Sequence, residues 1–330
     1  MQPFTRLAAP ASASPTALYD EATFARLRNL VLQSRRLATI GLAGEHASRR
    51  RGLSPEFSDF KPYSPGDDFR RIDWTTYARF DELFVRESDT TIEYDIHLLL
   101  DTSASMDWTS DDGLPTKLLH AKRIAGAIAW IALWHFDRIT LTSLADVAAG
   151  RHARGPLQGR SHVIPVFRAI EAMRPTASFA APGGGTLAEG VFRYIHARSR
   201  PGLLIVLSDA LDDRPEDLAT AFHRLAARGW ETYLLRVEDP AEADPLLLFS
   251  ERDTASQNLE LIGAEGGPGS RMQVTGQQRS IDQYLAQRRA WEAGIAALDA
   301  VSRVRVLSVR TDDAIDTTVF SRLRAMGLVR

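Results

Sequence analysis

From Tyr94 onward the chain repeats one pattern, a short apolar run followed by a turn and a helix, and a parallel sheet wrapped by helices is the architecture that satisfies it. Ile96 to Leu100 reads as a buried strand, Arg138 to Leu144 as a second, Leu203 to Leu207 as an uninterrupted central one, Glu231 to Val237 as a fourth and Val304 to Val309 as the last. Helices are predicted over Lys117 to His135, His162 to Met173, from near Leu187, over Pro215 to Arg228, from about Ile281 to Ser302, and over Ile315 to Met326. The predicted class is α/β, a doubly wound, mostly parallel sheet flanked by helices.

The flanking segments differ in character. Residues 1–18 read as a flexible tail, and residues 19–43 carry Phe24, Leu27, Leu30 and Val31 at helical spacing, an N-terminal helical segment. Residues 44–92 interrupt short β-like stretches such as Leu83-Phe84-Val85 with Gly, Pro and Arg, and read as a β-rich arm. The α/β domain is expected over 93–311, with a hairpin inserted at about 245–275 where a Gly-rich turn joins two short strands. Residues 312–330 are expected to form a C-terminal helix packed on the domain.

Composition removes several functions. Forty basic residues against 42 acidic ones leave a formal net charge of −2, so no general positive field exists to hold a nucleic acid backbone. The absence of cysteine removes disulfides, thiol nucleophiles and cysteine zinc sites together. The longest apolar run, Ile124 to Trp134, falls well short of the roughly 20 residues that span a bilayer, so no membrane span is expected. With no charged segment followed by an apolar one near its start, the chain is read as cytoplasmic. The histidines include no His-Glu-x-x-His, and Gly183 to Gly185 lack the Lys-Ser/Thr of a phosphate loop, so these glycines are read as shaping the loop before Thr186. Trp130 and Trp134 share a face of one apolar helix and are read as core.

Ligands collect at the carboxyl ends of the strands in an open parallel sheet. There the first strand runs into Asp101-Thr102-Ser103-Ala104-Ser105, the central strand runs into Ser208-Asp209, and Thr186 precedes a helix. Two carboxylates and several hydroxyls, all oxygens, suit a hard divalent cation, Mg2+ or another such as Mn2+ or Ca2+. Neutral hydroxyls and waters filling the other positions would leave such an ion electrophilic toward an outside carboxylate. Ser, Thr and Asp also cap turns and helices, so the same residues have a purely structural reading. An aspartyl phosphatase also places Asp after its first strand, but it needs a second acid two residues on, and Ser103 stands there.

The Asp101, Ser103, Ser105 pattern, with Thr186 and Asp209 following in order, resembles the metal-ion-dependent adhesion site of von Willebrand factor A domains. The segment Tyr63-Ser64-Pro65-Gly66-Asp67-Asp68-Phe69-Arg70-Arg71-Ile72-Asp73-Trp74, followed by Ala78-Arg79, is similar to that of the bacterial proteins grouped as domain of unknown function 58. The resemblance spans roughly residues 40–240, and Lys61 departs from the arginine expected of it. It implies a von Willebrand factor A-like fold and a partnership with a MoxR-type AAA+ ATPase, since members are encoded beside that ATPase. Asp67, Arg70, Arg71, Asp73 and Trp74 then have two readings, an ion-pair network holding the arm or a partner surface.

The expected function is a non-enzymatic, metal-dependent binding module in which Asp101, Ser103, Ser105, Thr186 and Asp209 hold the cation. Its partner presents an acidic residue and is the MoxR-type ATPase or a client of that ATPase. The alternatives are a hydrolase using the same ion to activate water, with Asp107 or the pair Asp212-Asp213 as base, and a scaffold whose site is non-functional.

Overall fold

A strand apolar at every position has to be covered on both faces, and Leu203–Ser208 is buried throughout its length. The computed structural model describes residues 26–32, 57–64, 72, 74–80, 82–88, 94–111, 113–176, 186–198, 200–211, 214–244, 247, 258–262, 271–275, 278–300 and 303–330. The chain divides into two units, residues 36–93 and the remainder. Within 36–93, β1 (Phe57–Pro62) and β2 (Phe84–Ser88) pair antiparallel, and α1 (Trp74–Phe80) lies between them in sequence.

The larger unit is built on six strands: β3 (Asp95–Leu100), β4 (Arg138–Ser143), β5 (Arg154–Gln158), β6 (Leu203–Ser208), β7 (Glu231–Glu238) and, after an antiparallel pair β8 (Asn258–Ile262) and β9 (Arg271–Thr275), β10 (Val304–Arg310). Their order across the sheet is β10-β7-β6-β3-β4-β5. All neighbours run parallel except β4 and β5, so the sheet ends on an antiparallel edge strand that apolar patterning did not reveal. Arg154-Gly155-Pro156 opens β5, and an exposed edge strand carries no apolar run to betray it.

Alternate residues of each strand serve opposite faces. Ile96, Leu98 and Leu100 of β3 join Leu203, Ile205 and Leu207 of β6 in one core, while Leu99, Leu204 and Val206 belong to the other. The first core is covered by α2 (Lys117–Trp134) and, later in the chain, by the helix Val163–Ala172. After the short α3 (Leu144–Ala148), that helix is α4; the second face is covered by α5 (Leu187–His196) and α6 (Pro215–Ala227). The short α7 (Pro240–Ala243) follows β7, and α8 (Gln278–Ala297) precedes β10. Pro215 sits in the first turn of α6, where its missing N–H costs nothing.

One expectation needs correction. Trp134 is not core: it is half-buried, with the guanidinium groups of Arg160 and Arg28 over its ring at 3.9 and 4.7 Å, because it shares a partly open face of α2 with half-buried Trp130, on which it stacks at 5.3 Å, while Ile131, Ala132 and Leu133 of the same turn are fully buried. The expected C-terminal helix runs without a break over residues 315–325, as Ile315–Thr317, a π-helical turn over Thr318–Arg322, and Leu323–Ala325. Val319, Leu323, Leu328 and Val329 join the first core, and Leu32 is bridged to Val329. The expected tail, most of the segment 19–43 and Gly183 to Gly185 lie outside the described residues.

Two histidines are buried in these faces. His97 on β3 contacts the Tyr194 hydroxyl at 2.6 Å and is pushed down to about 4 by burial and by Arg198; His120 on α2, pushed down to about 4 by burial and Arg123, has no hydrogen bond at either ring nitrogen among the described residues. A histidine held neutral when folded but free to protonate when unfolded leaves stability intact above pH 6.5 and removes it as the pH falls toward about 4. Urea unfolding should therefore show stability dropping by up to about 1.4 kcal/mol per pH unit per histidine across that window. His120→Leu should flatten the slope by one proton's worth, and an unchanged slope would refute the assignment.

Candidate functional site

The order of the sheet creates a switch point. From β3 the chain moves outward to β4 and β5, then returns to β6 on the other side of β3, so the loops leaving β3 and β6 diverge and open a crevice at their carboxyl ends. Asp101 follows β3 and Asp209 follows β6, both nearly fully buried. The N–H of Asp101 donates to the Leu207 carbonyl at 2.8 Å, carrying the β3–β6 pairing up to the site.

Each carboxylate is oriented. The Ser103 N–H donates to Asp101 Oδ1 at 2.8 Å and the Ser208 hydroxyl to Oδ2 at 2.5 Å. Ser208 Oγ in turn accepts from the Ala210 N–H at 3.0 Å. Ala210 takes a left-handed φ of 55°, unusual for a residue with a Cβ, in the turn directly after Asp209. Ser103 Oγ lies 3.0 Å from Ser105 Oγ, and although Ser103 precedes the 3-10 turn Ala104–Asp107, its hydroxyl makes no capping bond. Thr186 behaves differently: it caps α5, its Oγ1 accepting from the Glu189 N–H at 3.4 Å, and among the described residues no hydrogen bond joins it to the two carboxylates. Asp101, Ser103 and Ser105 thus form one hydrogen-bonded group, while Thr186 has the role of a helix cap.

Asp209 has a partner that sequence reasoning missed. Lys117 Nζ, 1% exposed, donates to Asp209 Oδ2 at 2.7 Å and to Glu242 Oε1 at 2.5 Å. Burial disfavours the ammonium, but Asp209 and Glu242 outweigh it and push its pKa up. Glu242 is pushed up by its own burial, against the pull of Lys117. The Asp101 carboxyl is raised to about 7, by burial first and by the charge of Asp209 second, with the Ser208 and Ser103 hydrogen bonds opposing both. One ammonium therefore answers Asp209 and Glu242, and Asp101 has only hydrogen bonds from Ser103 and Ser208.

The donor chemistry fits a divalent cation. Asp101, Ser103, Ser105 and Asp209 are hard oxygen donors, and added positive charge would relieve the burden on Asp101. Among the described residues no cluster of three or more His, Asp or Glu forms a site alone, so hydroxyls and water would complete the coordination.

Residues 59–246 match the family model described as protein of unknown function DUF58. The chain belongs to the DUF58 family. The DUF58 chain is similar to the uncharacterized protein Rv1480 of Mycobacterium tuberculosis and to the uncharacterized protein Mb1516 of Mycobacterium bovis, each 28% identical over 321 residues, 93% of this chain and 92% of the relative. No solved structure matches it. Among the described residues no helix is long and apolar enough to cross a membrane.

Of the DUF58 segment singled out in the sequence, Asp67, Arg70, Arg71 and Asp73 lie outside the described residues, as do Asp212 and Asp213. Trp74 opens α1, 64% exposed and edge-on to Tyr77 at 6.2 Å between ring centroids. The missed residues had faint signals. Lys117 is one of three lysines among forty basic residues and stands in the first turn of an apolar helix. Glu242 follows Asp239-Pro240 in a capping box: Asp239 accepts from the Ala241 N–H at 2.9 Å, and Glu242 Oε2 accepts from the Asp239 N–H at 3.0 Å. That box leaves Glu242 Oε1 free to face Lys117.

Removing the ammonium strands two buried carboxylates. Lys117→Met should cost about 3–5 kcal/mol of unfolding free energy at pH 7 by urea denaturation, only part of it recovered by Lys117→Met/Glu242→Gln, which leaves Asp209 unpaired. A cost below about 1 kcal/mol would show that the triad is solvated and weak.

Proposed function

We propose that this chain is a non-enzymatic protein-binding module that engages its partner through a divalent cation, Mg2+ in the first instance. Asp101, Ser103, Ser105 and Asp209 would hold it, with Thr186 contributing from the start of α5. The observation that carries this reading is the charge deficit at the switch point, where Lys117 bonds Asp209 and Glu242 while, among the described residues, no cation bonds the buried Asp101 beside them. When bound, such an ion supplies an electrophilic position that accepts a carboxylate from outside the chain. The protein's own residues do the positioning: Ser208 and the Ser103 N–H aim Asp101, Lys117 fixes Asp209, and Ser103 and Ser105 hold their hydroxyls together.

The likeness of the Tyr63-to-Trp74 segment to proteins encoded beside MoxR-type AAA+ ATPases supports that ATPase, or a client it remodels, as the cytoplasmic partner presenting the acidic residue. Exposed Trp74 supports the neighbouring Asp67, Arg70, Arg71 and Asp73 as a second contact surface. The rival hydrolase has less support: Asp107, the described acid considered as its base, is exposed on the 3-10 turn.

Two measurements test the reading. Mg2+ at about 100 times its dissociation constant should stabilise the folded chain by about 2.7 kcal/mol, raising Tm by a few degrees, and Asp101→Ala should abolish the rise. A wild-type Tm indifferent to millimolar Mg2+ would remove the metal. In a pull-down from native extract in Mg2+, the AAA+ ATPase should be identified with wild type and lost with a folded Asp101→Ala/Asp209→Ala variant; equal retention would place binding elsewhere.

A further inference from the structure

A cleft of about 620 Å3 opens beside the site, walled by Thr102 from the loop after β3, Thr142 and Ser143 at the end of β4, and Met173 to Thr176 after α4. Its volume lies in the range that holds a few side chains of a ligand. The antiparallel direction of β5 matters here. Because Arg154 pairs with Leu141, the first residue of β5 sits at the same end of the sheet as the metal-site loop. A parallel β5 would have begun at the far end.

Charge along this cleft is one-sided. Arg151, His152, Arg154 and Arg174 line it against a single carboxylate, Asp146. Asp146 is already used: its Oδ1 accepts from Arg151 Nε at 2.5 Å and its Oδ2 from the Ser143 hydroxyl at 2.8 Å. Arg174 spends one nitrogen on the Glu171 and Met173 carbonyls at the end of α4, which keeps its charge fixed at the rim. The Arg154 side chain is exposed and makes no hydrogen bond or ion pair among the described residues. The Thr102 carbonyl accepts from the Thr176 N–H at 2.7 Å, tying the two walls, while the buried Thr102 hydroxyl has no partner among the described residues.

We propose that this cleft binds the acidic flank of the partner segment whose carboxylate reaches the cation, with Arg154 and Arg174 pairing with side-chain carboxylates. The proposal rests on the metal-dependent binding reading above. Thr102 stands between Asp101 and Ser103, so the cleft begins where the candidate metal site ends. An extended chain advances about 3.3 Å per residue, so acidic residues a few positions from the metal-bound one enter the arginine-lined wall. Guanidinium forks match carboxylates in paired geometry, and complementary charge of this kind sets specificity and on-rate.

The probe is a fluorescein-labelled hexaglutamate peptide, followed by anisotropy at low ionic strength with the full chain, with hexaglutamine as the neutral control. Wild type in Mg2+ should bind hexaglutamate and not hexaglutamine. Arg154→Glu/Arg174→Glu should weaken binding by about tenfold or more, while the charge-matched control Arg324→Glu, on the C-terminal helical segment, leaves it unchanged. Should Arg174→Glu fail to fold, Arg154→Glu alone carries the test, since its side chain has no described partner. Equal affinity of wild type and variant, absence of binding by wild type, or displacement of the peptide by equimolar inorganic phosphate overturns the proposal. Arginine dependence that persists in EDTA keeps the cleft and removes the cation, so the two readings fail separately.

Discussion

Two carboxylates held out of water at the ends of neighbouring strands, one of them joined through a single ammonium to a third acid, set the terms for this end of the sheet. Asp101 and Asp209 are placed there by the β3–β6 pairing, which no side chain can alter without breaking the centre of the sheet. Burial raises the cost of every charge, so each oxygen at the site is given a donor: Ser103 N–H, Ser208 hydroxyl, Lys117 and, at 3.3 Å, the Leu211 N–H. The left-handed Ala210 is the local consequence, since the turn after β6 must bring its N–H back to Ser208.

The support for Lys117 extends well beyond the site. Glu242 is aimed by the capping box of α7, and Asp239 of that box also accepts from the Ser110 N–H at 3.0 Å. Tyr284 on α8 donates to the Glu242 carbonyl at 2.9 Å. One turn further along α8, Arg288 bonds Glu238 at 2.6 Å and Glu292 at 2.8 Å, and Arg236 joins Glu238 at 2.9 Å. Two sets of charge-assisted bonds, Asp209–Lys117–Glu242 and Arg236–Glu238–Arg288–Glu292, thus lie at the two ends of a segment of α8, with the neutral Tyr284 bond holding the helix to the first. Networks of this kind are worth more intact than the sum of their parts, because removing one member leaves its neighbour buried and unpaired.

Much of the sheet was legible because its strands are apolar on both faces and their helices keep a 3.6-residue period. Leu203 to Leu207 and Ile96 to Leu100 could hardly have been anything else. The edge was not legible: Arg154 to Gln158 is short, exposed and interrupted by Gly155-Pro156, so no hydrophobic pattern announced it. The C-terminal helix was legible from its apolar spacing, but the π-helical turn over Thr318–Arg322 inside it was not. Trp134 stands in an apolar helix, but an apolar stretch does not say which face of that helix stays partly open, and Trp130 and Trp134 share that face.

The linear order of residues determined that the apolar runs give way to Asp101 after β3 and to Ser208-Asp209 at the end of β6. It also determined the oxygen-only chemistry of the loops. Tertiary structure alone decided which charges meet. Lys117 and Asp209 are 92 residues apart and Lys117 and Glu242 are 125 apart, and their contact depends on β6 and β7 lying side by side with α2 crossing them. It likewise turned Thr186 into a helix cap and gathered Arg151, Arg154 and Arg174 around Thr102. Local periodicity is written in neighbouring residues, whereas electrostatic partnership depends on distances through space that strand order alone sets.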